Sequence, residues 1–315
     1  MIKLQQMNRK EFILAGTAAA LMPKVFAAEK PCAENDWGVA PDGIRVRFMG
    51  TGAADWLTAR TKEEGGYEFR RWSSALFDNR VLIDFTHFNY ASVVADKANP
   101  ASAPKICFYT HSHKDHYEPA AAVKMGFERV YVHETWHAEA VKEMAEAAAK
   151  ANAKAPEVRA VKFGEWYEEG GMKFMPLPAN HATSRPHELS CIYLVQKAKT
   201  RLLYATDTGG IMGTATRFGK FDGHRKIEPL TAIIMEATIG MGRTDDYRIF
   251  NHSTVEQVLD TVKALTKSGA YKPPEGQPVY LCHLAKTLHP HQKVLDQTLP
   301  APLKAACDCL EVVLR

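Results

Sequence analysis

The stretch Thr110-His111-Ser112-His113-Lys114-Asp115-His116 decides how the rest of this chain is interpreted. It follows the apolar run Ile106–Tyr109, so it begins where a predicted strand ends. Three histidines and one aspartate within six residues indicate a metal site, because imidazole and carboxylate groups suit zinc, iron or manganese.

The spacing within this stretch predicts two pairs of ligands. His111 and His113 are two residues apart, so their side chains point the same way on an extended chain. Asp115 and His116 follow where the backbone can turn and aim them elsewhere. Two pairs of ligands predict two metal ions.

Further ligands are expected just past the ends of other predicted strands. They are His181 after the strand Met172–Met175, Asp207 after Leu202–Ala205, and His283 after Val279–Cys282. All three can point into one cleft at the edge of the sheets. His289 and His291 lie close behind His283 and are alternatives to it, since ligand choice depends on geometry.

The composition is that of a soluble globular protein. Of the 315 residues, 46% are hydrophobic and 24% are charged, and the formal net charge is +4. No run of Lys or Arg of the nucleic-acid-binding type occurs, so the expected partner is a small-molecule substrate. The six cysteines include no C-x-x-C pair, and the sequence indicates neither a disulfide pairing nor an oligomeric state.

Residues 1–27 have the pattern of a signal peptide. Lys3, Arg9 and Lys10 precede the apolar stretch Phe12–Met22, and Val25-Phe26-Ala27 is typical of a cleavage site. The apolar stretch is too short for a membrane anchor. The protein is therefore expected to be exported to the periplasm or the medium, by the Sec or the twin-arginine route. The alternative is a buried N-terminal helix.

The remaining chain is predicted to be a lead-in segment, 28–42, and one α/β domain, 43–315. Short runs rich in Val, Ile, Phe and Tyr recur along the domain, and the early ones come in adjacent pairs, as hairpins do. Helical patterns interrupt them at Thr135–Lys150 and after a capping box that begins at Ser253. This mixture predicts sheets packed inside covering helices.

The ligand pattern resembles the metallo-β-lactamase superfamily. The resemblance is carried by H-x-H-x-D-H at 111–116, by Asn-His, Thr-Asp-Thr-Gly and the final strand-end histidine, and by Gly50-Thr51-Gly52 after the first strand. It implies an αββα sandwich of two mixed sheets with helices on the outer faces. It also implies two divalent ions, zinc in the first place, with manganese or iron as alternatives.

The resemblance assigns the ligands residue by residue. The first metal would be held by His111, His113 and His181, and the second by Asp115, His116 and His283. Asp207 would bridge them, with a hydroxide between the metals as the nucleophile, and Asp115 would count among the catalytic residues as well as the ligands.

Residues in the C-terminal third indicate which enzymes of the superfamily this chain resembles most. Asp207 stands where true β-lactamases of this fold carry cysteine or histidine. Glu236-Ala237-Thr238 and His252-Ser253-Thr254 are similar to the tRNA 3′-processing endonucleases, which implies that His252 is a general acid oriented by Glu236.

The RNA-clamping arm of those enzymes has no counterpart, because only 25 residues separate His181 from Asp207. This spacing resembles the cyclic-phosphate phosphodiesterases of phosphonate breakdown, whose N-terminal cysteine zinc site is missing here. The leading interpretation is an exported two-metal phosphodiesterase for a small or cyclic phosphodiester. The alternatives are a lactonase or thioester hydrolase on the same metals, or a non-catalytic binding protein.

Overall fold

Two seven-stranded sheets form the body of the protein. The structure is a computed structural model that describes residues 40–56, 69–93, 103–222, 225–226 and 228–315. The first sheet consists of β1 (Ile44–Gly50), β2 (Ser74–Phe77), β3 (Val81–Ile83), β4 (Ile106–Phe108), β5 (Arg129–His133), β6 (Glu157–Val161) and β16 (Glu311–Leu314). Its spatial order is β16-β1-β2-β3-β4-β5-β6. Strands β3 to β6 are parallel, and the other pairs are antiparallel, so this sheet is mixed.

The second sheet is also mixed. It consists of β7 (Tyr167–Glu169), β8 (Met172–Pro178), β9 (Cys191–Lys197), β10 (Thr200–Ala205), β13 (Ala232–Glu236), β14 (Val279–Cys282) and β15 (Leu303–Ala305). Its order is β15-β14-β13-β10-β9-β8-β7, with parallel pairing from β10 to β15. Between β10 and β13 the chain adds a ribbon of β11 (Phe221–Asp222) and β12 (Arg225–Lys226).

The helices are α1 (His87–Val93), α2 (Pro119–Met125), α3 (His137–Ala151), α4 (Gly213–Lys220), α5 (Val255–Lys267) and α6 (Gln292–Thr298). Two short 3-10 helices, Glu134–Trp136 and Tyr247–Phe250, join them. Helix α5 begins with a capping box, but the predicted cap at Ser253 was wrong by one residue. Thr254 is the N-cap and pairs reciprocally with Gln257, because its hydroxyl accepts the Gln257 N–H at 3.0 Å.

The core lies between the two sheets, where aromatic side chains from both meet. Phe77 and Phe108 of the first sheet contact Phe174 of the second, at ring-centroid distances of 6.2 and 4.6 Å. On the outer faces, α2 and α3 bury apolar side chains against the first sheet, and α5 and α6 do so against the second. This order of helices, sheet, sheet and helices confirms the predicted αββα sandwich.

The predicted signal peptide, 1–27, lies outside the described residues, as does the lead-in segment up to residue 39. Both stay predictions. Among the described residues, no helix combines the length and the apolar character needed to cross a membrane.

Candidate metal centre and active site

All seven predicted ligands meet at one edge of the sandwich, where strands of both sheets end. Residues 111–116 follow β4, His181 follows β8, Asp207 follows β10 and His283 follows β14. Asp207 and His283 have φ values of +49° and +52°, a left-handed conformation that turns the chain sharply out of each strand. Such strained positions persist where the surrounding structure holds them, and they are typical of functional sites.

One group of ligand atoms matches the predicted first metal site. Atoms of His111, His113, His181 and Asp207 all lie within 4.8 Å of one another. The His113 Nδ1 is 3.0 Å from the His111 Nε2 and 3.1 Å from the His181 Nε2. Three imidazoles and one carboxylate oxygen therefore converge on a volume the size of one ion.

A second group shares Asp207 with the first. Asp115, His116, Asp207 and His283 also offer ligand atoms within 4.8 Å of one another. The His283 Nε2 is 3.1 Å from the Asp207 Oδ1 and 3.4 Å from the Asp115 Oδ2. Asp207 belongs to both groups, so its carboxylate could be shared by two ions, as the resemblance implies.

The alternatives to His283 lie outside both groups. His289 is buried, and its Nε2 donates to the Ala237 carbonyl oxygen at 2.5 Å. His291 is the N-cap residue of α6. The geometry therefore favours His283.

The charge of the site fits divalent cations. Asp84, Asp115, Asp207 and Glu236 are all buried, and within the described part of the chain no Lys or Arg hydrogen-bonds to any of them. Four carboxylates carry −4, the His252 imidazolium beside Glu236 offsets only one of these charges, and divalent ions would supply the rest. Burying that many carboxylates without cations would be very costly, so the donor set fits two ions.

Burial keeps the three histidines of the first ligand group unprotonated. Desolvation lowers the pKa of His111 and His181, and it lowers the pKa of His113 to about 4. The three imidazoles are therefore neutral near pH 7, which is the form that binds a metal ion.

The second group has a different electrostatic character. Burial opposes protonation of His116, but the Asp207, Asp115 and Asp84 carboxylates outweigh it and raise the pKa of His116. Three carboxylates thus draw positive charge to this position, which a metal cation would satisfy in place of a proton.

Three polar groups behind the ligands orient the rings of His116, His283 and His181. The sequence predicted no role for any of these three groups. The Nδ1 of His116 is 2.8 Å from an Asp84 carboxylate oxygen, and the Nδ1 of His283 is 2.8 Å from the Thr238 hydroxyl. The Nδ1 of His181 donates to the Asn251 carbonyl oxygen at 3.0 Å. Each contact leaves the Nε2 free for a metal. Asp84 carried a detectable signal, because it is an acid directly after an apolar strand, and Asp207 is an acid two residues after another.

His252 and Glu236 are adjacent, as the sequence predicts for an acid and its orienting carboxylate. The His252 Nδ1 is 3.1 Å from the Glu236 Oε1, and Glu236 is fully buried. Burial opposes protonation of His252, but the Glu236 carboxylate outweighs it and raises the pKa of His252 to about 9. The His252 ring lies 5.5 Å from the His283 ring and 4.9 Å from the His181 ring.

The same geometry permits another role for His252. Glu236, His252 and His283 also offer ligand atoms within 4.8 Å of one another. Because His283 belongs to the second group as well, His252 lies at the margin of the metal cluster. Metal analysis of a His252 variant separates the two roles.

Comparison with known proteins gives the same family as the site. Residues 79–271 match the β-lactamase superfamily domain. No curated protein sequence is similar enough to count as a relative. Three solved structures each cover 86% of this chain. They are a diphosphatase from the PhnP family (18% identity, 100% of that chain, TM-score 0.60), human tRNase Z, short form (13%, 99%, 0.57), and Zn²⁺-bound PqqB from Methylobacterium extorquens (12%, 100%, 0.59). The domain match spans more than half of the sequence and the sandwich is that of these structures, so the chain belongs to the β-lactamase superfamily and has the metallo-β-lactamase fold.

Proposed function

We propose that this protein is an exported two-metal phosphodiesterase that acts on a small or cyclic phosphodiester. The observation that carries the proposal is the His252–Glu236 pair beside the complete set of metal ligands. Two bound divalent ions would acidify a water molecule and clamp the attacked phosphoryl group. The metals would not supply a proton for the leaving group, and the His252–Glu236 pair would supply it.

The leaving group of a phosphodiester is an alkoxide, which needs a proton. The Nδ1 of His252 is held by Glu236, and its Nε2 makes no hydrogen bond with the described residues, so it can donate to a bound substrate. Glu236 is itself fixed, because its Oε1 accepts the Thr208 N–H at 2.7 Å and its Oε2 accepts the Thr238 N–H at 2.9 Å. A thioester would not need this acid, since a thiolate leaves without protonation.

The short segment between His181 and Asp207 favours a small substrate. The loop 182–190 and the hairpin of β9 and β10 account for all the residues between His181 and Asp207, which leaves no arm for a polynucleotide. The names of two structural neighbours, a diphosphatase and a tRNase Z, agree with phosphate chemistry. Export is supported by the signal-peptide pattern of residues 1–27.

A substrate panel tests the proposal. The protein is loaded separately with zinc, manganese or iron and assayed on bis(4-nitrophenyl) phosphate, a lactone, a thioester and nitrocefin. We expect turnover of the phosphodiester, and none in the Asp207→Ala variant. Turnover of the lactone or the thioester without the phosphodiester would contradict the proposal, and no turnover by the fully loaded protein would favour a binding protein.

A further inference from the structure

Exposed apolar side chains are concentrated in the loops that carry residues of the candidate metal centre. In the part of the chain that the structure describes, seven large apolar side chains are exposed. Val141 and Val313 lie elsewhere. The other five lie in the loops that carry His181, Asp207 and His252, and they are Leu189, Met212, Met241, Tyr247 and Phe250. Apolar side chains exposed on the loops of a polar site suit contact with a part of the substrate that does not react.

The two aromatic members are the most exposed. Tyr247 is 80% and Phe250 is 74% exposed, and both belong to one 3-10 helix. Residues three apart in such a helix lie on the same side, and with a rise of about 2 Å per residue the two side chains start about 6 Å apart. Ile249 packs inward, against the cluster of Ala53, Ile239, Ala285 and Leu288. Tyr247 and Phe250, which we call the aromatic rim, therefore face outward together.

The backbone of the aromatic rim is fixed to the metal ligands. Asn251, directly after Phe250, accepts the Nδ1–H of His181 at 3.0 Å. A Cβ placed on Gly209 would lie 2.9 Å from the Phe250 carbonyl carbon, so the helix rests on the turn that follows Asp207. The backbone that carries the two rings is thus held against the segments of two predicted ligands, His181 and Asp207, rather than on a free loop.

The charge beside the rim is balanced. The Arg248 guanidinium lies 5.2 Å from the centre of the Tyr247 ring, and Asp246 binds it through both oxygens at 2.8 and 2.7 Å. Because this arginine is already neutralised, the rim offers aromatic faces rather than a phosphate site. Aromatic faces of this kind stack on planar rings.

We propose that the aromatic rim binds the base of a nucleoside phosphodiester while the metal centre holds its phosphate. This inference rests on the proposed function and names the substrate class. Tyr247 and Phe250 are then specificity-determining residues that contact the base and not the reacting atoms.

Two diesters with the same leaving group test it. Thymidine 5′-(4-nitrophenyl phosphate) carries a base, and methyl 4-nitrophenyl phosphate does not. The quantity measured is the ratio of their kcat/KM values. We expect Phe250→Ala to lower this ratio roughly 5- to 100-fold, as removal of a base-stacking ring does. Phe250→Tyr keeps the ring and should keep the ratio, and Val141→Ala, an exposed apolar residue elsewhere, is the matched control.

The outcomes separate this inference from the proposed function. A ratio unchanged in Phe250→Ala and in Tyr247→Ala overturns the aromatic rim as a base site. If the wild-type protein hydrolyses neither diester, the proposed function fails. Calorimetric binding of thymidine 5′-monophosphate and methyl phosphate to the metal-loaded protein then decides. If Phe250→Ala weakens the binding of thymidine 5′-monophosphate but not that of methyl phosphate, the aromatic rim is supported as a base site. If the variant binds thymidine 5′-monophosphate as tightly as the wild type does, the inference is overturned.

Discussion

Replacement of His252 by alanine should have an effect that depends on the leaving group. The His252 ring lies within 5.5 Å of the rings of two predicted metal ligands, so its Nε2 can reach the leaving oxygen of a phosphate bound there. General-acid assistance is typically worth about 10²- to 10⁴-fold. A ribose or alkyl leaving group needs that proton, so His252→Ala should lose this factor in kcat/KM.

A 4-nitrophenolate leaves without help. On bis(4-nitrophenyl) phosphate the same variant should therefore lose less than about tenfold, since little proton transfer is needed. The assay compares kcat/KM for this substrate and for a nucleoside 2′,3′-cyclic phosphate, whose leaving group is a ribose oxygen. His187→Ala is the control, because His187 is an exposed histidine that pairs with Glu139 outside the metal groups.

Glu236→Gln should give a milder form of the same pattern. Its amide oxygen can still accept from the Thr208 N–H and from His252, but its NH₂ would face the Thr238 N–H that the Glu236 Oε2 accepts now. The mismatch should cost about 1–3 kcal/mol of folding stability. The rate loss should stay below that of His252→Ala.

The metal content of His252→Ala and Glu236→Gln shows whether a loss of rate comes from the missing proton donor or from lost metal. It should be unchanged in both variants, as neither residue is a predicted ligand. Equal rate losses on the good and the poor leaving group would refute the general-acid role. Loss of metal in His252→Ala would make His252 a ligand and would reopen the assignment of His283.

Three further predictions follow from other parts of the molecule. Asp84→Asn would turn an NH₂ toward the Nδ1 of His116 and favour the tautomer whose Nε2 is protonated. Metal affinity, measured by chelator competition, should therefore fall about 10- to 100-fold. An unchanged affinity would contradict the orienting role of Asp84. Burial lowers the pKa of His289 from 6.5 to about 4, so the unfolded chain binds more protons between these values and stability falls as the pH drops through them. The loss from this group between pH 7 and pH 5 should be about 2 kcal/mol, and urea unfolding of His289→Gln should show that much less pH dependence than wild type. Protein from the native host should begin near Ala28, and N-terminal sequencing that finds Met1 would contradict export by a cleaved signal peptide.

The strands were largely predictable from the sequence. The strand Val279–Cys282 has the predicted bounds, because its apolar residues of high β propensity end at a ligand. The strands predicted at Ile106–Tyr109, Met172–Met175 and Leu202–Ala205 are also present, with ends that differ by one to three residues. The strands Tyr167–Glu169 and Leu303–Ala305 were missed, since each has only three residues, of which two in the first and one in the second are charged. Pairing with a neighbouring strand, rather than local propensity, holds them in the sheet.

The candidate ligands were predictable because they follow strands whose ends meet at one edge. The groups that orient them were not. Asp84 reaches His116 across 32 positions, and Thr238 reaches His283 across 45. Contacts over such separations depend on the tertiary fold, which no local pattern in the sequence specifies. The same limit explains why His289 and His291 could be set aside only once their positions were known.

Elemental analysis can show whether two metal ions share Asp207. Purified protein is loaded with zinc, freed of excess metal by gel filtration, and measured together with Asp207→Ala. We expect about two ions per chain for the wild type, and loss from both sites in the variant, because one carboxylate serves both groups. One ion or none per wild-type chain, or a variant that keeps both, would contradict it.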